Sequence, residues 1–177
     1  MDETVRATEF TIAANDAVLQ NPNLNWEDRQ DFDFASRGLI TRGSEDAIYS
    51  ASGELVWHHT SFEEMLKGDA PRTVNPSLWR HALLNNFRGL FKVTDGIYQV
   101  RGESLGNITF VEGKTGYIVI DPLTTVETAS YALNLLYKNV GVRPIVAVIY
   151  SHTHSDHFGG VKGIISDEDV SLGKVRI

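Results

Sequence analysis

Apolar residues at Leu78, Trp79, Ala82, Leu83 and Phe87 recur at helical spacing and predict one buried helix face. Asn75-Pro76 opens that helix, with Asn as N-cap and Pro at the first helical position, and Gly89 stops it. Upstream the pattern is less regular. Ala7 to Leu19 predicts a modest helix, and Trp26 to Ala35 a second short helix or an irregular segment. Leu39-Ile40, Ala47 to Tyr49 and Leu55 to Trp57 predict short strands, with Gly43 and Ser52-Gly53 at turns. From residue 90 the pattern turns to strands: Leu90–Val93, Ile97–Arg101, Ile108–Glu112 and Tyr117–Ile120. Thr124 and Glu127 predict a capping box for a helix whose core face is Ala129, Leu133, Leu136 and Tyr137. Ile145 to Tyr150 is a continuous apolar run, which predicts a strand covered on both sides. Strand, helix and strand between Tyr117 and Tyr150 predict a layered α/β arrangement.

Composition narrows the function classes. The 177 residues carry 16 Lys plus Arg against 23 Asp plus Glu, a net charge of −7. An acidic chain without a basic run argues against nucleic-acid binding, which rests on phosphate neutralisation, and against docking on anionic membranes. No apolar run reaches the roughly 18 residues of a transmembrane helix. The opening MDETVRATEF has no charged-then-apolar leader pattern, which predicts a cytoplasmic chain or a processed periplasmic one. Cysteine is absent, so any metal must be held by His and carboxylates.

One segment carries chemistry. Of six histidines, His152, His154 and His157 fall in a six-residue window that also holds Asp156. The window follows the apolar run and precedes Gly159-Gly160, which permit tight backbone and begin a further helix. Period-two geometry at a strand exit lets His152 and His154 project together, and a following turn returns Asp156 and His157 to the same region. Imidazole and carboxylate are natural ligands for zinc, iron or manganese, and four of them in one loop suit a two-ion site that activates water. The plain alternative is a solvated His-rich turn. The strand before it and the glycines after it favour a ligand loop.

The segment HTHSDH at 152–157 resembles the His-x-His-x-Asp-His signature of the metallo-β-lactamase fold superfamily. By that resemblance His152 and His154 bind one ion, and Asp156 and His157 a second. Asp121, at the end of the preceding strand, matches a recurrent Asp that supports and orients the metal loop. The likeness extends further. FDFASRGLI (32–40), GDAPRTVNPSLWR (68–80), GLFKVTDGIYQVRG (89–102), GNITFVEGKTGYIVIDPLTTVETA (106–129) and RPIVAVIYSHTHSDHFGGVKGI (143–164) are similar to the zinc-dependent alkyl sulfatases. The resemblance implies hydrolysis of alkyl sulfates such as dodecyl sulfate to an alcohol and inorganic sulfate, by a metal-activated water and with two Zn²⁺ ions. It also implies a homodimer in a longer protein.

The implied fold is the first half of a metallo-β-lactamase-like αββα sandwich (89–177), preceded by an N-terminal α/β extension (1–88) that packs on it. Four ligands are too few for two catalytic ions, each of which takes about three protein ligands. His58, His59 and His81 offer no evident completion: the first two follow a strand, and His81 lies on the polar side of its helix. Gly173 to Ile177 reads as the opening of another strand, so the chain is expected to be a fragment and inactive alone. The alternatives are another hydrolase of the superfamily, a thioesterase or lactonase, and a catalytically inert metal-binding fragment.

Overall fold

The structure is a computed structural model that describes residues 6–177. The leader reading of the first ten residues falls partly on residues 1–5, outside the described residues. The strands are β1 (Leu39–Thr41), β2 (Ala47–Tyr49), β3 (Leu55–His58), β4 (Gly89–Thr94), β5 (Ile97–Arg101), β6 (Ile108–Glu112), β7 (Tyr117–Ile120) and β8 (Ile145–Ile149). The helices are α1 (Glu9–Leu19), α2 (Gln30–Ser36), α3 (Thr60–Met65), α4 (Pro76–Asn85), α5 (Val126–Asn139) and α6 (Asp167–Ser171).

Six strands form one sheet in the order β1-β4-β5-β6-β7-β8, and β2 pairs with β3 in a separate ribbon. Neighbours in the large sheet are antiparallel as far as β7, and β7 with β8 is parallel. Short turns explain the antiparallel part: β4 and β5 close through Asp95-Gly96, with Gly96 at φ +73° and a bulge between Lys92 and Thr94. A parallel pair needs a crossover, and α5 is that crossover.

The core lies between α5 and one face of the sheet. Ile108 and Phe110 of β6, and Tyr117 and Val119 of β7, are fully buried, whereas the alternating Thr109, Val111, Ile118 and Ile120 are half-buried. Ala132, Leu135 and Leu136 of α5 pack onto that face with Leu90, Val100 and Val148. Each large apolar side chain buried in this way contributes about 1.5–3 kcal/mol.

Several expectations need correction. The cap of α5 is Thr125 with Thr128, one residue beyond Thr124 and Glu127, because Thr125 holds the extended backbone an N-cap requires (φ −125°, ψ 156°). Thr128, Ala129, Ala132, Leu135 and Leu136 are its buried residues, while Leu133 and Tyr137 are half-buried at the margin. Helix α4 begins as predicted, with Asn75 accepting from the Ser77 and Leu78 amides, but Leu78 is 61% exposed and Trp79, Ala82 and Leu83 are only half-buried. Strand β8 is not covered on both sides: Val148 is buried but Ile149 is 50% exposed, and its free flank meets the chain only at an isolated Ala147–Arg176 bridge. The 173–177 segment supplies that bridge and no strand. Gly159-Gly160 lead into a 3₁₀ turn, Val161–Gly163, instead of an α-helix.

The N-terminal stretch is tied in by backbone. Leu39 of β1 pairs with Phe91 of β4, so β1 is an edge strand of the main sheet. Arg80 joins α4 to Asp31 of α2 at 2.9 Å, and Asn15 of α1 donates to the Arg72 carbonyl at 2.9 Å. No helix among the described residues is long and apolar enough to cross a membrane.

Candidate metal centre

Strands β7 and β8 run parallel and end side by side, so the loops that leave them meet. Asp121 follows β7 directly, and its backbone N–H donates to the Ile149 carbonyl at 3.0 Å. The turn after it is strained: Asp121 and the buried Leu123 both adopt left-handed backbone, at φ 57° and 59°. Non-glycine residues held there cost about 1–3 kcal/mol each and persist only where the surroundings enforce them. Here the strain turns the Asp121 carboxylate toward the loop leaving β8.

That carboxylate accepts three hydrogen bonds. The Ser151 N–H reaches Oδ1 at 2.7 Å, the Ser151 hydroxyl reaches Oδ2 at 2.6 Å, and His157 Nδ1 lies 2.8 Å from Oδ2. Burial pushes the Asp121 carboxyl up, but the bonds from Ser151 and His157 outweigh it and hold the group below the usual carboxylate range. An ionised carboxylate only accepts, so Ser151 gives it its single hydroxyl proton, and His157 gives it the Nδ1 proton. The Ser151 oxygen is then the acceptor for His152 Nδ1, 2.9 Å away. One carboxylate thereby engages Nδ1 of His157 directly and Nδ1 of His152 through Ser151, which leaves Nε2 of His152 available as a metal ligand, while Nε2 of His157 faces Asp156.

The remaining donors lie close by. The ring of His152 stands 4.6 Å from that of His154 and 4.0 Å from that of His157, centre to centre. A single 3₁₀ turn, Ser155–His157, brings Asp156 round so that its Oδ2 lies 3.2 Å from His157 Nε2. All four side chains expected from the sequence are therefore in one neighbourhood, with Asp121 beneath two of them. The donor set fits a divalent ion chemically. No group of three His, Asp or Glu side chains among the described residues is placed to hold a metal ion, however.

Glycines allow the loop to seat. A Cβ at Gly159 would lie 2.3 Å from the Thr124 carbonyl oxygen, and one at Gly160 would lie 2.3 Å from that of Pro122. The loop after β8 thus rests directly on the backbone of the loop after β7. On its other flank, a Cβ at Gly106 would lie 2.8 Å from the Asp156 carbonyl oxygen.

Other expected or unexpected residues sit elsewhere. His81 is exposed on α4. His58 contacts the Ser61 hydroxyl at 2.9 Å. His59 is 2% exposed and pairs with the buried Glu103, away from the four donors. A cleft of about 850 Å³ opens between α2, α3, α4 and the 102–107 loop, lined by Trp57, Phe62, Phe87, Arg88 and Arg101 among others. None of the four donors lines it; the 102–107 loop separates the two regions. Ser151, Glu103 and Arg88 carry no motif in the sequence. A serine beside the first histidine of the cluster was the only available signal.

Comparison with known proteins follows the same geometry. Residues 101–176, from the end of β5 through the donor loop, match the metallo-beta-lactamase superfamily. The proteins that the whole chain is similar to are alkylsulfatases. The chain is 48% identical over 97% of its length to a linear primary-alkylsulfatase of Pseudomonas sp., and 48% identical over 97% to an (R)-specific secondary-alkylsulfatase of Pseudomonas sp.. It is 46% identical over 94% of its length to the alkyl/aryl-sulfatase BDS1 of Saccharomyces cerevisiae. The solved structure of the stereoselective inverting sec-alkylsulfatase Pisa1 from Pseudomonas sp. superposes with a TM-score of 0.88 at 48% identity, over 98% of this chain. The chain spans about a quarter of the length of these relatives: 25% of each Pseudomonas protein, 26% of the yeast one and 27% of the solved chain.

Proposed function

We propose that this chain supplies the metal loop of an enzyme that hydrolyses alkyl sulfate esters to an alcohol and inorganic sulfate. The observation that carries the reading is the Asp121 carboxylate, which orients Ser151 and His157 beneath His152 and His154 in a chain 48% identical to alkylsulfatases. In this reading His152 and His154 hold one Zn²⁺, and Asp156 and His157 help to hold a second. The ions supply a water that is nucleophilic at neutral pH and positive charge for the sulfate oxygens. Asp121 engages Nδ1 of His157 directly, and Ser151 carries the link to Nδ1 of His152, which leaves Nε2 of His152 available as a ligand. Because no closed donor set occurs among the described residues, the reading includes further ligands from outside them.

The test uses the intact protein that carries this chain, purified with its metal content measured and assayed on dodecyl sulfate, a thioester and a lactone. Sulfate release that disappears in His154→Ala and on chelation, with no turnover of the other two, supports the reading. Preferential turnover of the thioester or lactone replaces it with another hydrolase of the superfamily. Metal without turnover of any of the three leaves an inert metal-binding protein.

A further inference from the structure

A buried charge cluster lies away from the donor loop, and the reading above leaves it without a task. Glu103 is 1% exposed and stands between the imidazole of His59, with which it makes a short ion-pair contact, and the guanidinium of Arg88, whose Nη1 is 3.5 Å from its Oε1. The three residues come from separate segments: the end of β3, the residue before β4, and the loop after β5. Arg88 is fixed in turn by the Arg42 carbonyl at 2.8 Å and the Glu63 carboxylate at 3.3 Å. Neither ring nitrogen of His59 and neither oxygen of Glu103 has an aligned hydrogen bond, so charge and packing hold the cluster. Burial and the Glu103 and Glu45 carboxylates push the neighbouring Tyr131 hydroxyl up, so it meets the cluster as a neutral phenol.

Such a cluster is poor value as a fold stabiliser. Desolvating a carboxylate is expensive, and buried ion pairs are often replaceable by apolar residues without loss. Its position suggests a different use. Glu103 lies in the 102–107 loop, and that loop is pinned along its length. A Cβ at Gly102 would lie 2.5 Å from Arg88 Cβ, and Trp57 Nε1 donates to the Gly102 carbonyl at 3.1 Å. Ser104 shares a hydrogen bond of 3.0 Å with Thr124, in the loop after β7. Gly106 then abuts the Asp156 backbone. One continuous path therefore runs from His59 and Arg88 through Glu103 to the backbone of a candidate metal ligand.

We propose that Glu103 is a positioning residue, which locks the 102–107 loop as the rigid backing of Asp156 and so tunes metal affinity. The inference rests on the metal reading of the donor loop. The test compares Zn²⁺ affinity and stoichiometry of the intact protein and its Glu103→Gln variant, by competition with a chromophoric chelator. Tyr117→Phe is the control: it removes a buried hydroxyl that donates to the Gly141 carbonyl, remote from both loops. Both variants are melted in metal-free form to compare stability.

Losing a group that hydrogen-bonds a ligand directly weakens metal binding about 10–100-fold, and Glu103, which acts through the loop, is expected at the low end of that range. The expected result is at least about tenfold weaker Zn²⁺ binding in Glu103→Gln and unchanged binding in Tyr117→Phe. Unchanged affinity in Glu103→Gln, or an equal loss in both variants, overturns the proposal. A parent protein that binds no Zn²⁺ overturns the metal reading and the proposal together. If Glu103→Gln does not fold, Gly106→Ala perturbs the far end of the same loop with the charges intact, and unchanged affinity there overturns the proposal.

Discussion

Replacing Gly160 by alanine tests the seating of the donor loop in its simplest form. Gly160 has φ −84° and ψ 1°, a bridge-region conformation open to alanine as it is to residues in type I turns, so the substitution does not force left-handed backbone. The added methyl has nowhere to go. It would stand 2.3 Å from the Pro122 carbonyl oxygen, 2.4 Å from that of Thr125 and 2.9 Å from Ala129 Cβ, all inside the 3.0 Å below which Cβ atoms are not found. Two of the three obstacles are backbone, so relief requires the loop to lift away from the loop after β7. Lifting also stretches the 2.9 Å hydrogen bond from the Gly160 N–H to the Leu123 carbonyl. Overpacking of this kind costs about 1–3 kcal/mol, and a weakened buried hydrogen bond adds roughly 1 kcal/mol. A destabilisation near 3 kcal/mol lowers Tm by roughly 6–12 °C for a domain of this size. Calorimetry reads the melting temperature, and chelator competition reads Zn²⁺ affinity, which should fall as the histidines leave the Asp121 carboxylate. Gly141→Ala is the counterpart, with φ +148° and nothing within 4 Å, so it adds strain without a clash and should leave Zn²⁺ binding intact. If Gly160→Ala melts within about 2 °C of the parent and binds Zn²⁺ equally well, the direct seating of one loop on the other is wrong.

Asp121→Asn replaces an acceptor oxygen by a donor, disturbs the protons of His152 and His157, and should weaken Zn²⁺ binding about 10–100-fold in a competition assay. The Asp121 carboxyl is held below its ordinary range, so its contribution to stability is full at neutral pH and is lost as pH falls through the folded-state value. Melting profiles of the metal-free protein should accordingly lose stability less steeply toward acid in Asp121→Asn than in the parent. Thr125→Ala removes the cap of α5 and should cost about 1 kcal/mol, read as the denaturant midpoint. Asn75→Ala removes the two amide contacts that cap α4 and should cost a similar amount, about 1 kcal/mol, without moving Zn²⁺ affinity.

Much of the framework was legible because local signals were unopposed. Strands β5, β6 and β7 carry dense β-branched and aromatic residues between clear turns, and their predicted limits coincide with the observed ones. Asn75-Pro76 marks the start of α4 for the same reason. The covered state of β8 was not legible, because an apolar run records what a strand is able to bury and not what is present to bury it. The capping error at α5 came from two adjacent threonines, of which only backbone conformation selects Thr125. At the site, the histidine spacing picked out side chains that the fold brings into one neighbourhood, but nothing local revealed Ser151 as the link between Asp121 and His152. Glu103 was invisible for a similar reason: its partners lie 44 and 15 positions upstream, and a lone acid in a glycine-bounded loop reads as solvated.

The edge position of β1 sets a practical limit on dissecting this protein. The superfamily match begins at residue 101, yet Leu39–Thr41 forms the sheet's outer strand by pairing with β4, which in turn pairs with β5. An excised piece starting at residue 101 would lose β1, β4 and nearly all of β5, leaving β6 as a naked strand with a row of unpaired amides and carbonyls. Such an edge is a template for intermolecular strand addition. The smallest piece that keeps all six strands of the sheet must therefore reach back to the residues before Leu39, well outside the matched segment.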